Sequence, residues 1–190
     1  WRALRSDPVA FRALAYTFLL VIANEIFFIN YGAYLETTFD LALTALGTVT
    51  IVVAVAEVCG EFAVIGIADR YGKRRVALIG VAVSSIGYIL LPIFSFSLPL
   101  TLAIVFVIFF MLEIAIVASV TLYTEILPDA RAIMISSYVG AESFGRLVGG
   151  ALGGWLYVTL NTFSLISAIS TAIALGSLFL LWRFVHEKQS

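Results

Sequence analysis

Apolar residues occur along this chain in long runs, which short polar connections separate. A helix that crosses a membrane needs about 20 consecutive, mostly apolar residues. These runs predict spanning helices 1 to 6 at residues 13–35, 42–68, 76–96, 100–124, 132–158 and 162–182. Because the connections are short, we predict one antiparallel bundle at 13–184, between a basic cytoplasmic segment at 1–12 and a cytoplasmic tail at 185–190.

The composition agrees with an all-α membrane protein. Of 190 residues, 62% are hydrophobic and 12% are charged, whereas soluble domains carry about 25% charged residues. One His and one Cys cannot make a metal cluster or an internal disulfide. We expect no metal, no cofactor, no nucleic-acid partner and no enzymatic activity.

The distribution of basic residues predicts the orientation. All but one of the 11 Lys and Arg residues fall in the first segment, in the connections 2–3 and 4–5, or at the carboxyl end. Cytoplasmic segments carry such an excess of positive charge, so both termini should be cytoplasmic. We expect the membrane to be a bacterial-type inner (plasma) membrane. These residues are Arg2, Arg5, Arg12, Arg70, Lys73, Arg74, Arg75, Arg131, Arg183 and Lys188.

Charged residues also lie inside the predicted spans, where an ionised group costs about 2.5–3.5 kcal/mol. Such groups face the bundle interior or a wet cavity. Helices 1, 2, 4 and 5 contain all of them and helices 3 and 6 contain none, which predicts a three-plus-three repeat with helices 3 and 6 on the lipid side. The charged residues are Glu25, Glu57, Glu61, Glu113, Glu142 and Arg146.

The internal carboxylates have two interpretations, structural and functional. Glu142 precedes Arg146 by one turn, the favourable order for an ion pair within a helix, so this pair is either structural or part of a transport pathway. Glu25, Glu57 and Glu113 have no basic residue in their own helices. We predict that these three belong to a substrate or proton pathway, together with Glu61.

Two further patterns accompany the charges. Asn24 and Tyr31 share one face of helix 1, with Glu25 at its flank, and are candidate pathway residues. Gly145, Gly149 and Gly153 repeat at a spacing that lets two helices approach closely. These glycines either allow simple helix packing or form a smooth helix face along which a neighbouring gate helix can slide.

The connection between helices 2 and 3 carries a family signature. Its sequence, Ile65-Gly66-Ile67-Ala68-Asp69-Arg70-Tyr71-Gly72-Lys73-Arg74-Arg75, resembles the signature loop of the major facilitator superfamily, G-x-L-A-D-R-x-G-R-R. Ile65 departs from the first glycine of that pattern. A second stretch, Glu125-Ile126-Leu127-Pro128 followed by Arg131, Gly145-Arg146 and Gly149-Gly150, is similar to the tenth and eleventh helices of such transporters.

The resemblance implies the carboxyl-terminal six-helix half of a transporter, with helices 1, 2, 4 and 5 on the cavity side. It implies that Asp69 caps a helix of the other half, and that Arg70, Gly72, Lys73 and Arg74 belong to a cytoplasmic gate. Glu125 is a candidate partner of Lys73 or Arg74. Because the chain begins at Trp1 rather than Met, we expect a fragment or a trimmed chain.

The predicted function is one half of a secondary active transporter that works by alternating access. Carboxylates in a low-dielectric cavity hold protons more readily than in water, so proton-coupled efflux of a small amphipathic solute is expected. The expected partners are the lipid bilayer, the solute, protons and a second six-helix bundle. The alternatives are a half-size transporter that works as a homodimer and a membrane partner protein that does not transport.

Overall fold

The structure is a computed structural model that describes residues 7–185. Arg2, Arg5 and Lys188, and most of the two predicted terminal segments, lie outside the described residues. The described part is helical throughout, with six α-helices and one short 3-10 helix at Pro128–Ala130. The α-helices are α1 at Pro8–Phe39, α2 at Leu43–Tyr71, α3 at Lys73–Leu90, α4 at Leu98–Ile126, α5 at Arg131–Leu160 and α6 at Phe163–Phe184.

Helix α1 begins before the predicted residue 13, because the chain contains a capping sequence there. Asp7 Oδ1 accepts hydrogen bonds from the backbone N–H groups of Val9, at 2.8 Å, and Ala10, at 3.3 Å. Pro8 occupies the first helical position, where its missing N–H costs nothing. Part of the predicted basic leading segment is therefore helical.

Helix α3 ends at Leu90, so the prediction that it extends to residue 96 is wrong. Pro92 has no N–H to donate to the carbonyl of Tyr88 one turn earlier. That carbonyl instead accepts a hydrogen bond from the Ser167 hydroxyl on α6. The apolar residues after Leu90 form a turn that leads to the cap residue of α4, Ser97.

Four of the described helices are long and apolar enough to cross a membrane, judged by length and composition. They are Pro8–Phe39, Ala45–Tyr71, Leu98–Ile126 and Phe163–Phe184. Helix α3 is short, with 18 residues, and begins with basic side chains, while α5 carries Glu142, Arg146 and many glycines. Of the six helices predicted to span the membrane, these four have the length and the apolar composition that spanning requires.

The helix contacts follow a repeated pattern. Helix α1 packs mainly on α5 and α6, α4 packs mainly on α2 and α3, and α3 contacts α6. When α1 is exchanged with α4, α2 with α5 and α3 with α6, the same set of contacting helix pairs results. The first three helices and the last three therefore pack in equivalent ways. Large buried side chains such as Phe27, Tyr88 and Phe109 fill the space between α1, α3 and α4.

Contacts between helix termini define the two ends of the bundle. At one end, Tyr123 OH on α4 donates to the carbonyl of Ala13 on α1 at 2.8 Å. At the same end, the Arg12 guanidinium lies over the Phe184 ring of α6, 4.6 Å from its centroid. At the other end, the rings of Tyr34 and Phe163 stack at 4.2 Å. Lys73 at the start of α3 pairs with Glu125 near the end of α4. The starts of α1 and α3 and the ends of α4 and α6 therefore lie together.

Candidate functional site

Charged side chains from four helices lie within electrostatic range of one another near Arg146 on α5. Its Nη2 atom donates a hydrogen bond to Glu142 Oε1 at 2.7 Å, which confirms the predicted ion pair. Arg146 also lies within the range of charge–charge attraction of Glu25 on α1, Glu57 on α2 and Glu113 on α4. The structure thus brings together carboxylates that lie on separate helices and far apart in the sequence.

We call the set Glu25, Glu57, Glu61, Glu113, Glu142 and Arg146 the carboxylate face. Glu57 and Glu61 on α2 are exposed, and both lie within the range of charge–charge repulsion of Glu113. Among the described residues, Arg146 is the one cation of this face. The face therefore carries more negative than positive charge when its carboxyl groups are ionised.

Glu113 and Glu25 each pack against a glycine of a neighbouring helix. A Cβ added to Gly60 on α2 would lie 2.9 Å from the Cβ of Glu113. A Cβ added to Gly149 on α5 would lie 2.7 Å from the Cβ of Glu25. Each of these two carboxylates is thus held at a close helix–helix contact that needs glycine.

The two contacts are equivalent under the exchange of helices described above. Exchanging α1 with α4 and α5 with α2 converts the Glu25–Gly149 contact into the Glu113–Gly60 contact. Three residues before each glycine stands a charged residue, Arg146 before Gly149 and Glu57 before Gly60. The charge at this position is therefore opposite in the two halves of the chain.

The glycines predicted on helix 5 all face α1 at close range, a contact that both simple packing and a sliding face require. An added Cβ would lie 3.1 Å from Val21 at Gly145, and 3.1 Å from Ile29 at Gly153. Gly60 is not among the residues predicted from the sequence. Its position directly before Glu61 and one turn after Glu57 marks it as a small residue beside charges, but the sequence does not show that α4 packs against it.

Asn24 and Tyr31 are occupied by contacts within the bundle. Asn24 Oδ1 accepts a hydrogen bond of 3.3 Å from Tyr88 OH on α3. Tyr31 is buried, and its ring packs with those of Phe27 and Phe109. Tyr31 still lies within electrostatic range of Glu57, whereas Asn24 points its amide oxygen towards α3.

The predicted gate residues lie at the end of the bundle that carries the basic side chains. Lys73 Nζ forms an ion pair with Glu125 Oε1 on α4, as predicted. Arg74 Nε donates to the carbonyl of Val185 at 2.6 Å, and its guanidinium also reaches the Trp182 carbonyl. Both basic residues therefore tie the start of α3 to the ends of α4 and α6.

Asp69 and Arg70 lie in the last turn of α2, so the interpretation of this stretch as a loop is wrong. The whole connection between α2 and α3 is Gly72, whose φ of 86° is in the region that glycine adopts most easily. Both Asp69 and Arg70 are exposed. They are free to meet a surface outside the described residues.

Within residues 7–185, no group of His, Cys, Asp and Glu side chains could hold a metal ion.

Comparison with known proteins identifies the family. A family model described as the Major Facilitator Superfamily matches residues 13–190. The chain belongs to this superfamily. It is therefore an integral, multi-pass membrane protein of a transporter superfamily, as the signature at 65–75 predicts.

One curated relative and one solved structure extend this result. The chain is 24% identical over 180 residues to an uncharacterized MFS-type transporter of Bacillus subtilis (strain 168), YceJ, with coverage of 95% of this chain and 46% of that protein. A crystal structure of a D-xylose-proton symporter matches 94% of this chain and 48% of its own, with a TM-score of 0.78 and 17% identity. The chain spans about half the length of both proteins, and the structural match shows a shared fold.

Proposed function

We propose that the chain is one six-helix half of a secondary transporter, and that its carboxylate face forms one wall of a substrate cavity. The observation that carries this proposal is that charged groups of α1, α2, α4 and α5 lie within electrostatic range of Arg146, which is itself paired with Glu142. Ionised groups in a membrane face a protein interior or a wet cavity rather than lipid. A second bundle opposite this face would complete the cavity.

All six helices cross the membrane in this proposal, as a three-plus-three repeat with α3 and α6 on the lipid side. The exchange symmetry of the helix contacts supports the repeat, and so do the equivalent contacts Glu25–Gly149 and Glu113–Gly60. Both termini are cytoplasmic, because the described basic residues gather at the end of the bundle that holds the start of α1. The membrane is of the bacterial inner type, and the half is the carboxyl-terminal one.

Transport is coupled to protons, and Glu25, Glu57, Glu61 and Glu113 form the pathway together with the Glu142–Arg146 pair. A proton on one carboxyl group relieves the repulsion between neighbouring carboxylates. The solute is small and amphipathic, and we propose efflux as its direction. The structurally similar D-xylose-proton symporter moves protons by symport, so the assay of this chain must separate antiport from symport.

The residues at the end of α2 and the start of α3 form the gate on the cytoplasmic side. Two contacts attach the start of α3 to other helices of the same half. They are the ion pair of Lys73 with Glu125 and the hydrogen bond of Arg74 to the end of α6. Asp69 and Arg70 are exposed and reach the other half, where a carboxylate at a helix amino terminus is stabilised. Gly72 allows the tight connection between the two helices.

The test is proton flux in vesicles. The chain is reconstituted alone or with a second six-helix half, and an internal pH dye reports proton movement when the amphipathic dye ethidium is added on one side. We expect flux with both halves present, loss of flux in Glu113→Gln, and normal flux in Glu36→Gln. Glu36 is an exposed carboxylate near the far end of α1, outside the carboxylate face.

The outcomes separate the candidate functions. Flux from the chain alone would indicate a homodimeric transporter, and no flux under either condition would favour a partner protein that does not transport. Protons that leave as ethidium enters the same vesicles indicate antiport, and protons that enter with it indicate symport. A Glu113→Gln variant with normal flux would remove Glu113 from the pathway.

A further inference from the structure

A groove lies between the end of α2 and the start of α3, over the middle of α4, at the end of the bundle that carries the basic residues. Its volume is about 320 Å³. Val76 and Ile114 form a buried floor, and Ile67, Tyr71 and Ile79 form an exposed rim. Its lining is apolar except at one end, where Arg75 lies.

Arg75 differs from its basic neighbours in having a free charge. Lys73 is paired with Glu125, Arg74 donates to backbone carbonyls, and the Arg70 guanidinium lies 5.4 Å from the centroid of the Tyr71 ring. Arg75 is exposed and has no hydrogen bond or ion pair with any residue from 7 to 185. One unpaired cation thus lies at the mouth of an apolar groove.

The depth of these residues matches a lipid molecule. Arg75 is in the first turn of α3, and Ile79 follows one turn later, about 6 Å further along the helix axis. In a chain that spans a membrane, a charge in the first turn lies near the headgroups, and an apolar residue one turn deeper lies against the acyl chains. The groove therefore continues from the headgroup level into the hydrocarbon.

We propose that this groove binds one molecule of an anionic phospholipid, with the phosphate on Arg75 and part of an acyl chain along Ile79 and the buried floor. The charge of the phosphate complements Arg75, and a guanidinium binds phosphate oxygens in a bidentate geometry. Anionic lipids of the cytoplasmic leaflet are attracted to such basic residues. The apolar length of the groove selects a lipid over free phosphate, which would leave it empty.

Native mass spectrometry of the purified chain tests this proposal. The protein is mixed in detergent with phosphatidylglycerol or phosphatidylcholine of identical acyl chains, and the retained lipid is counted. Wild type should retain phosphatidylglycerol in preference. Arg75→Gln should lose that preference, while Arg183→Gln should keep it, because Arg183 is exposed at the same end but lies outside the groove.

A second variant tests the apolar part of the site. Ile79→Trp fills the groove and leaves Arg75 in place, so it should lose phosphatidylglycerol as Arg75→Gln does. Equal retention of the two lipids by wild type, or equal losses in Arg75→Gln and Arg183→Gln, would overturn the proposal. So would complete displacement of the lipid by inorganic phosphate. The melting temperatures of all variants show that each is folded, and no result depends on transport activity.

Discussion

Glu113 on α4 lies directly over Gly60 on α2, and a Cβ added to that glycine would stand 2.9 Å from the Glu113 Cβ. Glu25 has the same relation to Gly149, at 2.7 Å. Real Cβ atoms essentially never approach within 3.0 Å, so any larger residue would force the helices apart. Each glycine therefore fixes the distance between a carboxylate-bearing helix and its neighbour, and with it the position of the carboxyl group.

Replacing this glycine should weaken the contact between α2 and α4. In Gly60→Ala the new methyl group would meet both the Glu113 Cβ and the Phe110 carbonyl oxygen at 2.9 Å, and the backbone oxygen cannot turn away. We expect a destabilisation of about 1–3 kcal/mol, as in overpacked cores. The measurement is the melting temperature of the purified protein in detergent.

Gly66→Ala is the matched control for this variant. Gly66 is on the same helix, and nothing lies within 4 Å of a Cβ added there. Since alanine favours helices over glycine, stability should stay equal or rise. If Gly60→Ala and Gly66→Ala melt at the same temperature, the close contact does not exist in the folded protein.

The sequence predicts the helices well because lipid imposes both their length and their apolar composition. The Glu142–Arg146 pair is equally predictable, since the helix period alone brings the two side chains together. Gly60 is not predictable in the same way. Its role depends on α2 packing against α4, and chain order does not tell which helices are neighbours.

The end of α3 shows the same limit of the sequence. Apolar residues continue past Leu90, so hydropathy extends the helix too far. Pro92 is a local signal for the end, but the hydrogen bond from Ser167 to the Tyr88 carbonyl comes from a helix far along the chain. The partner of Asn24 is equally unpredictable from the sequence. Only the structure shows that the Tyr88 hydroxyl donates a hydrogen bond to the Asn24 amide oxygen.

The ion pair between Lys73 and Glu125 should contribute measurably to the fold. The two side chains are 23% and 36% exposed, which places the pair near the surface. We expect a coupling free energy of about 0.2–1 kcal/mol in a double-mutant cycle with Lys73→Gln and Glu125→Gln, measured by thermal unfolding. Additive single effects would mean that the pair does not form in solution.

Asp69→Asn should impair transport more than folding. Asp69 is exposed in the last turn of α2 and makes no hydrogen bond or ion pair within residues 7–185, so its loss should change stability by less than about 0.5 kcal/mol. Its proposed partner is a helix of the other half. Surface yield and solute flux are measured together, and parallel losses in both would count against a gating role.

Arg146→Gln should make the stability of the chain depend more strongly on pH. The substitution leaves Glu25, Glu57 and Glu113 without the cation that attracts them. Acidification protonates the carboxylates and removes their mutual repulsion. The melting temperature of the variant should therefore rise more on acidification than that of wild type. Arg183→Gln, at the end of α6, should behave like wild type; an identical pH response of Arg146→Gln would show that the carboxylates do not interact through Arg146.

The last prediction concerns the chain without a second bundle. Each ionised carboxylate of the carboxylate face would then meet lipid, at a cost of about 2.5–3.5 kcal/mol at the helix centre. The carboxyl groups can become protonated, or two copies can pair through α1, α2, α4 and α5. Pairing also supplies the two-bundle geometry that alternating access requires. We therefore expect the isolated chain to self-associate with α3 and α6 outside.

Cysteine cross-linking locates the contact between the copies. With Cys59→Ser as background, Ser143→Cys places a thiol one turn from Arg146, on an exposed part of α5, and Ile86→Cys places one on an exposed part of α3. A short bifunctional thiol reagent should join two copies through Ser143→Cys and not through Ile86→Cys. The opposite result is a monomer by light scattering in which a water-soluble carboxyl reagent reaches Glu57 and Glu113. It would show that protonation and hydration are enough to stabilise the carboxylate face in the isolated chain.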